Sequence, residues 1–208
     1  METLSDVVST GLVTNLARPG GNLTGVAGFA SELSGKRLEL IREILPQADR
    51  IAVFVNRANP TTVPTLSATE SAAQQMRMKL HVVDVRQLAE LGAAFEAARR
   101  ERADALVLLA DPLLFSARPQ IVQLAARHRM PTVYETRLFP DAGGLLSYGP
   151  LARERFERMA LYVDRILRGA QPGDLPIEQP TRFELVINLK TAKALGLTIP
   201  QTLLQRAD

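Results

Sequence analysis

From residue 34 onward the chain alternates between two hydrophobic rhythms. The segment "SGKRLELIREIL" sets Leu38, Ile41, Ile44 and Leu45 on one helical stripe. Ser34 is placed to cap its start and Pro46 to stop it. "RIAVFVN" follows as a short apolar run of strand type, "PTTVPTLSATESAAQQMRMK" as a helix after an irregular entry, and "LHVVDV" as a second, β-branched strand. "ELGAAFEAARRER" reads as a helix, "DALVLLAD" as a third strand, "SARPQIVQLAARHR" as a helix with Ser116 near its start, and "MPTVYET" as a fourth strand. The pattern therefore predicts core strands near 51–56, 81–85, 105–110 and 131–135. Strands without polar alternation, each followed by a helix, predict an α/β fold with a parallel sheet covered on both faces. Ligands of such sheets sit beyond the carboxyl ends of the strands, which singles out Asn56, Asn59, Asp111, Glu135 and Thr136.

After residue 139 the rhythm changes. "PDAGGLLSYGP" repeats the order of the earlier "RPGGNLTGVAGF": a glycine pair, a few residues of strand, another glycine. The segment "LARERFERMALYVDRILRG" predicts a long helix with Phe156, Met159, Val163, Ile166 and Leu167 on one stripe and Gly169 as terminator. A polar linker, "AQPGDLPIEQPTR", leads to "FELVINL" and "KTAKALGL", and Pro200 opens a last short helix.

Composition narrows the function more than the fold. A chain of 208 residues suits one large domain or two small ones, and its 46% hydrophobic content can fill a core built mostly of Leu, Val, Ile and Ala, since Trp is absent. The net charge is only +3, and no basic run is interleaved with aromatics, so nucleic acid is not indicated. With no Cys and only His81 and His128, thiolate or histidine metal sites are not expected, and no cofactor is called for. No apolar run reaches the length of a membrane span, and the N-terminus shows no signal-peptide pattern.

Each candidate site residue has two readings. Asp111 ends the most apolar strand, where a carboxylate can pair with a ligand ammonium or cap the next helix. Asn56, Asn59 and Thr61 can hold a carboxylate together with backbone N–H groups, or serve only as caps and turns. Glu135 and Thr136 follow the fourth strand, with the direction of Glu135 left open. Tyr148 can stack on an aromatic or apolar ligand, or be a half-buried strand tyrosine. His128 suits a helix C-terminus, and His81 a surface strand. No Ser or Cys nucleophile has a base placed beside it, so no catalytic constellation is visible and an enzyme is not expected. The stretch "LARPGGNLTGVAGF" precedes its strand, whereas a dinucleotide-binding glycine loop follows one.

Four segments, "LARPGGNLTGV", "GKRLELIREILP", "AGGLLSYGP" and "ILRGAQPGDLPIEQPTRFELVINLKTAKALGLTIP", together resemble the substrate-binding proteins of ABC transporters, in the branch typified by tryptophan- and tyrosine-type binders. The resemblance covers nearly the whole chain, and the closing segment is its most specific part. It implies the type I periplasmic-binding-protein fold: two parallel α/β lobes joined by three crossovers, with a small organic solute such as an amino acid in the cleft. It also implies ABC permease subunits as partners and a periplasmic location, or a cytoplasmic one if the chain is made as it stands.

On this resemblance residues 1–25 are a remnant of the first lobe and the first crossover, 26–139 the second lobe, 140–179 a crossover and first-lobe helix, and 180–208 the return to the second lobe. The chain is then expected to be a C-terminal portion, with the second lobe largely complete and the first mostly missing. The ligand-binding set is expected to be Ala27, Asn56, Asn59, Thr61, Asp111, Glu135, Thr136 and Tyr148. Phe156, Met159, Val163 and Ile166, which would pack on the first lobe, are left as a surface for self-association. Two other readings stay open: the ligand-sensing domain of a regulator, and a fragment that binds nothing tightly.

Overall fold

The alternation of the sequence is realised in the computed structural model, which describes residues 8, 11–28 and 31–208. The elements are α1 (Ser34–Ile44), β1 (Arg50–Val55), α2 (Val63–Gln75) after a 3-10 turn at Pro60–Thr62, β2 (Lys79–Asp84), α3 (Leu91–Arg100), β3 (Ala105–Leu108), α4 (Pro112–Ser116), α5 (Arg118–Arg127), β4 (Thr132–Tyr134), α6 (Leu138–Asp141), β5 (Leu146–Pro150), α7 (Ala152–Leu167), β6 (Phe183–Ile187), α8 (Leu189–Leu195) and α9 (Gln201–Leu204). The chain divides into two units: unit 1 comprises Met1–Ala30 and Pro150–Phe183, and unit 2 comprises Ser31–Gly149 and Glu184–Asp208. Part of the expected first-lobe remnant, residues 1–7, 9 and 10, lies outside the described residues, as do residues 29 and 30.

Unit 2 carries the sheet, in the strand order β2-β1-β3-β4-β5-β6. The pairs β1–β2, β1–β3, β3–β4 and β4–β5 are parallel. The Asn188 N–H, just past β6, donates to the Leu145 carbonyl at 2.8 Å, just before β5, so these two strands run in opposite directions. Because side chains alternate across a strand, the sheet feeds two cores. Ile51, Val53, Val55, Val107 and Val133 pack with Leu38, Ile41 and Ile44 of α1 and with Leu203 of α9. Ala52, Phe54, Leu106, Leu108 and Tyr134 pack with Leu91, Phe95 and Ala98 of α3 and Ile121 of α5. Phe54 and Phe95 meet edge to face at 5.0 Å. Each fully buried side chain of this size contributes about 1.5–3 kcal/mol, so the doubly covered centre of the sheet is the most stable part of the unit.

Three local expectations are corrected. Among the described residues β2 is an edge strand paired only with β1, and its residues are half-buried or exposed rather than covered on both sides. Ser34 lies inside the first turn of α1, with Leu33 at the cap position, and its hydroxyl donates to the Thr65 carbonyl at 3.4 Å. Ser116 ends α4 instead of starting the next helix, because the chain breaks at Ala117 before Pro119 enters the first turn of α5.

In unit 1, Gly20 and Gly21 have φ of +70° and +64°, a left-handed turn that side chains disfavour. The Gly20 N–H donates to the Gly173 carbonyl at 3.2 Å, and a Cβ at Gly173 would lie 2.7 Å from the Gly21 oxygen. The glycine pair thus lets two turns pack backbone to backbone. Val26 and Glu178 form a parallel bridge, and Val13, Ala27 and Ile177 make a small apolar cluster. On α7 the buried side chain is Tyr162, whose hydroxyl donates to the Pro176 carbonyl at 2.6 Å and lies 3.0 Å from Glu178 Oε1. Desolvation, reinforced by Glu178, pushes that phenol up to about 12. The apolar stripe of α7 lies elsewhere on the helix: Phe156 and Val163 are each 57% exposed and Leu167 is 82% exposed, with Met159 and Ile166 partly covered.

Candidate ligand-binding surface at the carboxyl end of the sheet

β1 and β3 are neighbours, so the residues that follow them are brought together. Asp111, only 2% exposed, accepts hydrogen bonds from four donors. Its Oδ1 takes the N–H groups of Leu113 and Leu114 at 2.8 and 3.1 Å, capping α4. Its Oδ2 takes the side-chain amides of Asn56 and Asn59 at 3.2 and 2.8 Å. A carboxylate offers about four acceptor sites, and all four are in use.

The two asparagines are themselves fixed. Asn59 Oδ1 accepts from the Thr61 N–H at 3.1 Å and the Thr61 hydroxyl at 2.7 Å, while Asn56 Oδ1 accepts from the Ala58 N–H at 3.0 Å. Thr62 locks the same turn from beneath, its hydroxyl lying 3.0 Å from the Asn56 carbonyl and 2.8 Å from that of Asn59. Each amide has two N–H donors, of which Asp111 takes one. The other, on Asn56 and on Asn59, is an oriented donor at the sheet's carboxyl edge, the chemistry needed to hold a carboxylate.

The second group follows β4. Glu135 and Thr136 are half-buried, and the Thr136 carbonyl accepts from the Phe139 N–H at 3.2 Å at the entry to α6. Tyr148 is half-buried on β5 and packs against the α1 core. Its carbonyl accepts from Arg37 Nε at 3.0 Å. Arg37 is 1% exposed, and burial lowers the pKa of its guanidinium against the opposing pull of Glu135. Next along the chain, Arg137 Nη1 lies 3.1 Å from Oε2 of the buried Glu184. Ala27 belongs to unit 1, where its side chain is buried and its N–H donates to the Glu178 carbonyl at 2.9 Å.

Arg37 and Glu184 were not among the expected residues. Each nevertheless left a signal: Arg37 stands at the i−4 position of Ile41, on the apolar stripe of α1, and Glu184 interrupts the run "FELVI". A charge at a core position implies a buried partner. Among the described residues no cluster of three or more His, Cys, Asp or Glu side chains is arranged to hold a metal ion, and no helix is long and apolar enough to cross a membrane.

A mostly parallel sheet covered by helices, with polar groups gathered beyond its strand ends, fits the lobe of a periplasmic-binding protein, as the resemblance implies. Solved structures bear this out. A conserved domain protein from Vibrio cholerae superposes with a TM-score of 0.89 at 30% identity, covering 98% of this chain and 68% of that one. The ABC domain from Streptococcus pneumonia, solved in complex with L-Trp, gives 0.88 at 24% identity over the same shares of both chains. The tyrosine-binding protein of Clostridioides difficile strain R20291 is 24% identical over 197 residues, which is 95% of this chain and 56% of the relative. The chain thus spans little more than half the length of that curated relative. It belongs to the ABC transporter substrate binding protein family, whose model matches residues 1–208.

Proposed function

We propose that this chain serves as the solute-binding part of an ABC importer, that it works on the periplasmic side of the membrane, and that its solute is an L-amino acid with an aromatic side chain. The observation that carries this reading is the family match over residues 1–208, with relatives described as tyrosine-binding and as bound to L-Trp. The geometry supplies a matching chemistry. Asn56 and Asn59 each keep one N–H for the α-carboxylate of the solute, and Asp111 aims both amides. Thr61, Glu135, Thr136 and Tyr148 complete one wall of the site. Binding and release involve no bond making in the solute, and ABC permease subunits receive it.

Calorimetry tests this directly. L-tyrosine or L-tryptophan should bind, the D-enantiomers should not, and Asn59→Ala should weaken binding tenfold or more, since a hydrogen bond to a charged group is worth about 1.5–3 kcal/mol. A folded protein that gives no heat with either amino acid would overturn the assignment.

The stripe of α7 supports a second proposal, self-association. Leaving a side chain such as Phe156 or Leu167 in water forfeits about 1.5–3 kcal/mol relative to burying it, and several stand exposed together. Size-exclusion chromatography with light scattering should show a mass above that of one chain, and the double substitution Val163→Lys and Leu167→Glu should return it to the single-chain value. A single-chain mass at the highest soluble concentration would count against this surface.

A further inference from the structure

The chain enters or leaves unit 2 at Ser31, after Gly149 and at Glu184. One short segment, Glu135–Arg137, is tied to structure beside all three points. Arg37, in the first turn of the helix that follows Ser31, is buried, its Nε donates to the Tyr148 carbonyl at 3.0 Å, and the charge of Glu135 acts to favour its charged form. Gly149, the last residue before the second passage, lies directly on the Glu135 backbone, so close that an added Cβ would be driven into the Glu135 carbonyl oxygen. Glu184, the first residue after the third passage, pairs through Oε2 with Arg137 Nη1 at 3.1 Å, and Arg137 is braced from its other side by Asp141 at 3.4 Å.

Two of these ties are polar for a physical reason. Gly149 has no side chain to pack, so beyond the packing of Tyr148 the end of β5 is held by a donor gripping the neighbouring carbonyl. A guanidinium is suited to that, because its planar fork offers several N–H groups in fixed directions, whereas an ammonium is a point charge. In the Arg137–Glu184 pair the carboxylate is buried while Arg137 is 45% exposed, so the pair adds little stability, but removing Arg137 leaves a buried charge uncompensated. Such a pair is better suited to fixing a position than to strengthening a core.

We propose that Glu135–Arg137 is a three-way anchor, and that Arg37, Glu135, Arg137 and Glu184 are positioning residues that hold the unit 2 ends of the three connections in one fixed arrangement.

Amide hydrogen exchange, followed by fragment, tests the anchor without any ligand. Arg37→Lys keeps the charge and loses the fork, and it should speed exchange at Ser147–Gly149 about tenfold or more, as local opening becomes easier, with Ile51–Phe54 unchanged. Arg137→Met should do the same at Glu184–Ile187. Reversing that pair, Arg137→Glu with Glu184→Arg, should restore slow exchange there. Exchange that rises evenly across β1–β6 in these variants would show a merely structural role, and wild-type exchange at Ser147–Gly149 in Arg37→Lys would overturn the anchor outright. Where Arg137→Met fails to fold, Arg37→Lys still decides.

Discussion

Alanine at position 149 is expected to lower the stability of unit 2 by at least about 3 kcal/mol, the upper end of ordinary overpacking costs. The backbone dihedrals are not the obstacle, since Gly149 is not in the left-handed region. Space is: the new Cβ would overlap the Glu135 carbonyl oxygen and stand 2.9 Å from its carbon, both backbone atoms of a neighbouring segment that cannot swing aside like a side chain. Relief requires β5 to move off β4, which breaks the register Val133↔Leu146 and Tyr134↔Ser147. It also pulls the Tyr148 carbonyl away from Arg37, leaving a buried guanidinium short of an acceptor. Urea denaturation followed by circular dichroism measures the loss. Gly92→Ala is the matched control: it sits in α3 with nothing within 4 Å of its added Cβ, so it should stabilise by about 0.5–1 kcal/mol through helix propensity. A Gly149→Ala protein as stable as wild type would show that β5 slides freely, and the anchor would lose its second tie.

The parts of this molecule that were legible in its sequence are those governed by neighbours in the chain. The strands of the sheet centre could be read because a strand covered on both faces must be apolar along its covered length, as β1 is from Ile51 onward and β3 is throughout. The stripe of α7 could be read because helical spacing alone sets it. Where β2 departs from expectation the cause is its place at the edge, which depends on the order of strands and not on its own residues. Arg37 and Glu184 show the same limit more sharply. Their hydrogen-bond partners lie 111 and 47 residues away, so local spacing identifies the charge in the apolar run but not what it is bonded to. The glycine pair at 20 and 21 announced a turn, yet its packing against Gly173 is set by tertiary structure. Asp111 was legible as a cap or as a ligand for an ammonium; that it would also carry two asparagine amides could not be read from any one segment.

That double duty makes Asp111→Asn the most informative substitution in the candidate site. The new side chain keeps one oxygen for the Leu113 and Leu114 N–H groups, but it presents an NH2 to the amides of Asn56 and Asn59, now 3.2 and 2.8 Å from a donor. Asn59 cannot simply turn over, because its oxygen holds both the N–H and the hydroxyl of Thr61. Each buried group left without a partner costs about 1–3 kcal/mol, so a total loss of about 2–4 kcal/mol is expected. Asp111→Ala should lose more, because it also removes the cap of α4, a further 0.5–2 kcal/mol or about that. Solute affinity should fall with both variants, since the amides lose their aim. The direct and indirect roles are separated by pairing Asp111→Asn with a solute that lacks its ammonium, 3-(4-hydroxyphenyl)propionate in place of L-tyrosine. If Asp111 works only through the asparagines, the two changes are independent and their effects on binding add. If its carboxylate meets the ammonium, removing either partner does the same damage, and the cycle shows a coupling of about 1.5–3 kcal/mol, the value of a hydrogen bond to a charged group. Additivity is the expected result, because all four acceptor sites of the carboxylate are already occupied within unit 2; a coupling of that size would make Asp111 the solute's direct partner, and an Asp111→Asn protein of wild-type stability would show that the asparagine amides do not depend on the carboxylate.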